Sequence, residues 1–183
     1  KQLVQQSVQN QTAAQDETVD WKVYQNEKYG FEIKYPSDWR VDNATTDEVK
    51  SDREGLSYYR INFRLYSSRE SEELLITLRP ANVGLESFVK KAEAYAGYKE
   101  FERKAYSNTT WSFGKYTATD MDPKQESFEA FAIFDKQYFG VPRGKKIMVD
   151  ALGNHFTGPE STIYSEDLAK VSKQILSTFE FLK

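Results

Sequence analysis

Strict alternation of apolar and polar residues is the feature that most restricts the fold of this chain. Residues 59–65 read YRINFRL, and every second side chain in that run is apolar. The same period of two recurs at residues 31–35 and 74–78. Successive side chains of a strand point to opposite faces of a sheet, whereas an amphipathic helix repeats about every 3.6 residues. We therefore predict a strand in each of the three segments, with one face buried.

Two later segments predict a hairpin. Residues 127–135, SFEAFAIFD, are apolar on nearly both faces, as in a central strand that is covered on both sides. Residues 145–152 follow after a loop with Gly140, Pro142 and Gly144, which are residue types that favour turns. We expect these two strands to pair antiparallel. Weaker strands are predicted near residues 21–24, 39–43, 98–106 and 111–119.

Two segments switch to the helical period. The first is followed by Gly97, where a left-handed residue would end a helix. The second begins after Ser165, a predicted N-cap, and Glu166 and Asp167 place negative charge at the positive end of the helix dipole. We therefore expect two amphipathic helices, each with one apolar stripe that faces the core. These are Leu85, Phe88, Val89, Ala92 and Ala96 in the first, and Leu168, Val171, Ile175 and Leu176 in the second.

These patterns predict an α+β fold with one domain at residues 21–183. An antiparallel sheet with one helix in the middle of the chain and one near its end is expected to have helices flanking the sheet. Residues 1–20 contain six Gln and no aromatic residue. They bury too little apolar surface to offset the entropy of ordering, so we predict a flexible linker.

The start of the chain predicts a compartment. The chain begins with Lys1 rather than Met, and a polar, Gln-rich spacer commonly follows a removed signal or anchor segment. We therefore expect an extracytoplasmic or secreted protein, with an anchor upstream of the linker. The alternative is a piece of a cytosolic protein with a polar end.

The composition argues against several classes of function. The 25 basic and 28 acidic residues are spread along the chain and give a net charge of -3, so nucleic acid is not an expected partner. No run approaches the roughly 18 apolar residues of a membrane-spanning helix. The absence of Cys excludes disulfides, thiolate metal sites and cysteine nucleophiles. We expect no cofactor.

One strand carries the strongest binding signal in the sequence. Its second face reads Tyr58, Arg60, Asn62, Arg64 and Tyr66. Tyr and Arg are the side chains most enriched at binding hot spots, so this face is a candidate surface for another protein. In the alternative interpretation, the Arg stems lie over the sheet and their charges pair with acids on neighbouring strands.

Three carboxylates are a candidate site for a hard cation such as calcium. Asp120, Asp122 and Glu126 lie close together in the segment TDMDPKQE. Calcium accepts flexible oxygen ligands, although the spacing is not that of an EF-hand loop. Pro123 after Asp122 favours a turn between two strands, so we predict no metal site here and keep these residues as weak candidates.

His155 is the one histidine of the chain, in the segment ALGNHFTGP. Those turn-forming residues predict a loop, and a solvated or loop-packing histidine is the favoured interpretation. A hydrolase would need a serine placed for attack beside His155, and no G-x-S-x-G segment occurs. A histidine metal site usually has two or three such ligands. No catalytic residue is therefore predicted.

Both ends of the domain resemble a known family. The segment TVDWKVYQNEKYGFEIKYPSDWRV resembles the start of PsbP-like domains, with the pattern W-x-x-Y-x-N-x-x-x-G-F-x-x-x-Y-P-x-x-W. The end, KQILSTFEFLK, is similar to their closing segment, and the middle of the chain fits loosely. The resemblance implies the Mog/PsbP architecture, an antiparallel sheet between helices in an α/β/α sandwich. Members of this family are mostly accessory or binding proteins, among them small lipid-anchored bacterial proteins.

The sequence and the resemblance together predict a non-catalytic, extracytoplasmic binding or accessory module that is tethered through residues 1–20. Its expected partner is another protein. Two alternatives remain at this point. The first is an intracellular adaptor that binds a protein through its sheet, and the second is a small hydrolase with an unrecognised site.

Overall fold

A computed structural model describes residues 18–49, 58–67, 71–95, 97–106, 109–118, 125–136, 146–158 and 161–182. The linker at residues 1–20 is thus almost wholly outside the described residues. The elements are β1 (Lys22–Asn26), β2 (Phe31–Tyr35), β3 (Arg40–Val49), β4 (Tyr58–Tyr66), β5 (Glu72–Ala81), α1 (Leu85–Tyr95), β6 (Tyr98–Ala105), β7 (Thr110–Ala118), β8 (Gln125–Phe134), β9 (Lys146–Gly158), β10 (Ser161–Ile163), α2 (Glu166–Ser177) and β11 (Glu180–Phe181).

Two antiparallel sheets organise these strands. The large sheet has eight strands in the order β3-β4-β5-β9-β8-β7-β6, with β10 pairing to β9. The small sheet has the order β1-β2-β11. The strands predicted from alternation are all present, and β8 and β9 pair antiparallel as expected. The loop between β8 and β9, with Gly140, Pro142 and Gly144, lies outside the described residues.

The core fills the space between the first face of the large sheet, the small sheet and α2. The register places apolar residues opposite one another, for example Phe63 opposite Ile76 and Leu65 opposite Leu74. Rings then bridge the sheets, because Phe63 stacks on Tyr24 with centroids 4.5 Å apart and meets Phe31 edge-on at 5.9 Å. The alternating positions of β4 and β5 thus set which face of the sheet is buried.

The segment that resembles PsbP-like domains has a structural role at each prominent position. Gly30 has φ +68°, and its N–H donates to the carbonyl of Asn26 at 2.7 Å, which closes the turn between β1 and β2. Pro36 follows β2 and accepts from the N–H of Trp39 at 3.0 Å. Trp39 is 5% exposed, so the chain returns to the core at this residue.

The predicted N-cap of α2 is confirmed. The Ser165 hydroxyl accepts a hydrogen bond from the Leu168 N–H at 3.2 Å, and Ser165 has extended backbone angles. Leu168, Ile175 and Leu176 of the predicted stripe are buried against the sheet.

We expect Ser165→Ala to lower the free energy of unfolding by about 1 kcal/mol, because one N–H of the first turn loses its acceptor. In a domain of this size that is a decrease of roughly 2–4 °C in the melting temperature. Thermal unfolding followed by circular dichroism measures it. Ser165→Asp keeps an acceptor and should restore the melting temperature, and an equal loss in both variants would contradict the cap.

α1 lies on the opposite side of the large sheet. Its Val89 and Ala92 form a second, smaller core with Tyr98 and Phe131. Gly97 follows with φ +70°, as the sequence predicted. A Cβ at Gly97 would collide with the backbone carbonyl of Thr117, so the close approach of α1 to the sheet also depends on this glycine.

The predicted α/β/α sandwich is wrong. Strands make up 61% of the structure and helices 18%, which is a β-rich fold. On the first face, a second sheet shares the covering role that the prediction gave to helices alone. On the other face, α1 contacts β6 and β8, at one side of the sheet. The sheet is therefore not flanked by helices along its width.

Candidate binding face

The second face of the large sheet is its side turned away from α2 and the small sheet. α1 covers part of this face near β6 and β8. The surface predicted from β4 lies here, because Asn62, Arg64 and Tyr66 alternate with the buried Ile61, Phe63 and Leu65. The side chains of Tyr58 and Arg60 lie outside the described residues, although both positions belong to β4.

An apolar pair occupies the centre of the second face. Leu75 on β5 lies directly opposite Leu152 on β9, and both side chains are partly exposed. Arg64 lies opposite Leu75 from β4, and Glu129 lies opposite Leu152 from β8. We call this line of four residues the cross-strand row. It crosses three strand spacings, so its charged ends are about 14 Å apart along the sheet.

Arg64 is incompletely paired at one end of the row. Its Nε lies 3.9 Å from Oε1 of Glu73, too long for a hydrogen bond, and half of its side chain is exposed (50%). A hydrogen bond with Tyr66 raises the pKa of Arg64, and Glu73 and Asp42 add favourable charge. Burial raises the pKa of Glu73, although Arg64 opposes this effect. Arg64 can therefore offer a guanidinium to an incoming anion.

Glu129 lies at the other end of the row among apolar neighbours. Leu152 flanks it on β9 and Gly114 flanks it on β7. The Tyr98 ring occupies the space that a side chain at Gly114 would need. Burial, and to a lesser extent the nearby charge of Asp150, raises the pKa of Glu129 to about 8, although Arg79 opposes the shift. Within the described part of the chain, the Glu129 carboxyl has no hydrogen bond and no ion pair.

Several other described polar groups of this face pair with each other. Arg79 donates from Nε to Oδ2 of Asp150 at 2.9 Å, and its guanidinium lies over the Phe88 ring of α1 at 5.9 Å. Thr77 donates to Asn62 at 3.1 Å. A hydrogen bond of 2.8 Å likewise links Ser127 to Asn154. Arg64 and Glu129 therefore differ from the surrounding polar groups in how completely they are paired.

Of the three carboxylates considered for calcium, the structure describes only one. Asp120 and Asp122 lie outside the described residues, and Glu126 belongs to β8. Oε2 of Glu126 lies 2.6 Å from Nζ of Lys115 on β7. Over the described ranges, no group of three or more His, Asp or Glu residues could hold a metal ion.

The predicted loop around His155 is wrong. Residues 151–158 continue β9, and His155 lies opposite Glu72 of β5. Nδ1 of His155 is 3.5 Å from Oε1 of Glu72. A Cβ at Gly153 would lie 3.2 Å from the Phe128 ring and 3.5 Å from Leu168, so a larger side chain would be crowded at this position of the strand. The glycine thus reflects close packing, not a turn.

Three residues of the row were not singled out by the sequence analysis, although the sequence contains a signal for each of them. Leu75 is an apolar residue at a position of β5 where the alternation predicts a polar one, and Leu152 breaks the polar face of β9 in the same way. Glu129 is the one charged residue within the apolar run of β8. An apolar residue on a polar face and an acid in an apolar strand both indicate a surface with a further role.

No helix in the ranges that the structure describes is long and apolar enough to cross a membrane. Comparison of the chain with models of known protein families, with curated proteins and with solved structures found no significant match. The cross-strand row is therefore the basis on which a function can be argued.

Proposed function

We propose that the protein is a non-catalytic binding or accessory module of the cell envelope, and that it contacts another protein through the second face. The observation that carries this proposal is the partly exposed pair of Leu75 and Leu152 between Arg64 and Glu129. Protein interfaces typically combine an apolar centre with a polar rim, and the row has that arrangement. Arg is also enriched among the residues that dominate binding energy.

The location outside the cytoplasm is supported by the sequence. Residues 1–20 have the composition of a polar spacer, and the resemblance of both chain ends to PsbP-like domains points to exported, anchored accessory proteins. The linker would then hold the domain near the membrane while the second face remains available. An intracellular adaptor would use the same face in another compartment.

Affinity capture from the envelope fraction of the source organism tests this function. The bait proteins are the full chain, the chain without residues 1–20, and the Leu152→Thr variant, which removes the apolar side chain and places a residue with high strand propensity there. Lys170→Ala, on an exposed position of α2 at the other side of the sheet, is the matched control.

We expect one envelope protein to be captured by the full chain, by the chain without the linker and by Lys170→Ala. Leu152→Thr should lose it while its melting temperature stays within about 2 °C of the original, because the residue is only partly buried. Unchanged capture by Leu152→Thr would remove the second face from the function. Capture of a cytosolic protein, with none from the envelope, would favour the intracellular adaptor.

A further inference from the structure

The geometry of the cross-strand row points to a specific kind of partner, and this inference rests on the proposed function. We propose that the second face binds an extended segment of the partner that runs across the strands, with an acidic side chain at Arg64, an apolar side chain on Leu75 and Leu152, and a basic side chain at Glu129. Such a segment has the pattern acidic-x-apolar-x-basic, read in either chain direction.

The spacing of the row matches an extended chain. Arg64 and Glu129 are separated by three strand spacings, about 14 Å. An extended segment advances about 3.3 Å per residue, so four residues cover about 13 Å. Residues i, i+2 and i+4 also point to the same side of an extended segment, which allows three side chains to meet the row together.

A helix fits the same row less well. With a rise of 1.5 Å per residue, a helix needs about nine residues to cover 14 Å. Nine residues make about two and a half turns, so the first and the last side chain point to opposite sides of the helix. An extended segment is therefore favoured over a helical one.

The charges of the row set which end of the segment carries the acidic side chain and which end carries the basic one. Arg64 is half exposed, and its Nε lies 3.9 Å from Oε1 of Glu73. Its guanidinium can therefore donate shorter hydrogen bonds to a carboxylate of the partner. Glu129 has no hydrogen-bond or ion-pair partner among the described residues, and its neighbour Leu152 offers an apolar surface for the stem of a Lys or Arg. Asp150 does not compete at this end, because it is held by Arg79 at 2.9 Å.

Peptide display on the full chain tests the pattern. A library of random 12-residue peptides is selected at pH 8.5 against the original chain, Arg64→Glu, Glu129→Lys and the control Lys170→Glu. This pH lies above the pKa of Glu129, which burial and the charge of Asp150 on β9 raise to about 8 while Arg79 on β5 opposes the shift. Circular dichroism and melting temperature establish that each variant is folded.

We expect the original chain and Lys170→Glu to enrich acidic-x-apolar-x-basic peptides. Arg64→Glu should select a basic residue at the first position, and Glu129→Lys should select an acidic residue at the last one. If Glu129→Lys does not fold, the isosteric Glu129→Gln replaces it, and a selected peptide should bind this variant about tenfold to a hundredfold more weakly, as expected for a hydrogen bond to a charged group.

Enrichment without this spacing, or a pattern that ignores both charge reversals, would overturn the proposed segment. The proposed function fails separately. If Leu152→Thr loses the envelope partner while the charge reversals leave the selected peptides unchanged, the face binds a protein in another manner. If Leu152→Thr keeps that partner, the proposed function itself is wrong.

Discussion

Phe63→Ala is expected to lower the free energy of unfolding by about 3–5 kcal/mol. Phe63 is 1% exposed, lies opposite Ile76 in the large sheet, and contacts Tyr24 and Phe31 of the small sheet. Its removal leaves a cavity where the two sheets meet and takes away two ring contacts. Because the small sheet has only short strands, we expect it to separate from the large sheet at lower denaturant concentration than in the original chain.

Urea unfolding measures this loss, with intrinsic fluorescence and circular dichroism as two independent probes. Phe101→Ala is the matched control, because Phe101 is 48% exposed and its removal leaves no comparable cavity. Phe101→Ala should lower the free energy of unfolding by less than about 1 kcal/mol. Similar losses in the two variants would contradict the view that Phe63 joins the sheets.

Glu129→Gln is expected to increase stability at high pH by about 3 kcal/mol. Burial raises the pKa of Glu129 to about 8 from the ordinary 4.5, so the folded protein binds this proton more tightly than the unfolded chain does. The original chain therefore loses stability as the pH rises from about 4.5 to 8, and the loss is constant above that. The figure is smaller than the full pKa difference implies, because Glu129 is partly exposed as a residue and water screens part of the penalty.

Urea unfolding of the original chain and of Glu129→Gln at pH 5, 7 and 9 measures this effect. The difference in the free energy of unfolding between the two proteins should grow with pH, with the variant the more stable one. Asp38→Asn, in the exposed turn after β2, controls for the loss of one negative charge from the protein. A pH-independent difference, or a less stable Glu129→Gln at pH 9, would contradict the assignment of an unpaired acid to this position.

These two results would assign different roles to the two faces. A residue that lowers stability in the free protein, and whose removal weakens binding, is expected at a functional site. Glu129 should behave in this way, whereas Phe63 should affect stability alone. The first face would then account for folding and the second face for recognition.

Local patterns in the sequence predicted the elements well. The alternation at residues 59–65 predicted β4, Ser165 predicted the start of α2, and Gly97 has the expected positive φ. Each of these features depends on residues close in the sequence. They follow from side-chain periodicity, capping and the conformational freedom of glycine.

The arrangement of the elements could not be predicted in the same way. β11, Glu180–Phe181, pairs with β2 from the other end of the chain, and this contact creates a separate small sheet. Nothing in the alternation of either strand specifies that partner. Such distant contacts also explain why a sheet, and not helices alone, covers the first face. They likewise place Gly153 and His155 within β9.

The residues of the proposed binding surface could be placed in part from the sequence. Periodicity placed Asn62, Arg64 and Tyr66 on one face, and the structure has them there. The cross-strand row depends on register, because Leu75, Leu152 and Glu129 come from three different strands. Their neighbourhood could be recognised only once the order β4-β5-β9-β8 was known.

The most direct test of the central claim measures stability and binding together in Arg64→Ala. The claim predicts a free energy of unfolding within about 1 kcal/mol of the original chain, because the Arg64 side chain is half exposed and its Nε lies 3.9 Å from Oε1 of Glu73. Binding of the captured envelope protein should weaken at least about tenfold, as expected for a hot-spot residue. A clear loss of stability with unchanged binding would contradict the claim and make Arg64 a structural residue of the sheet.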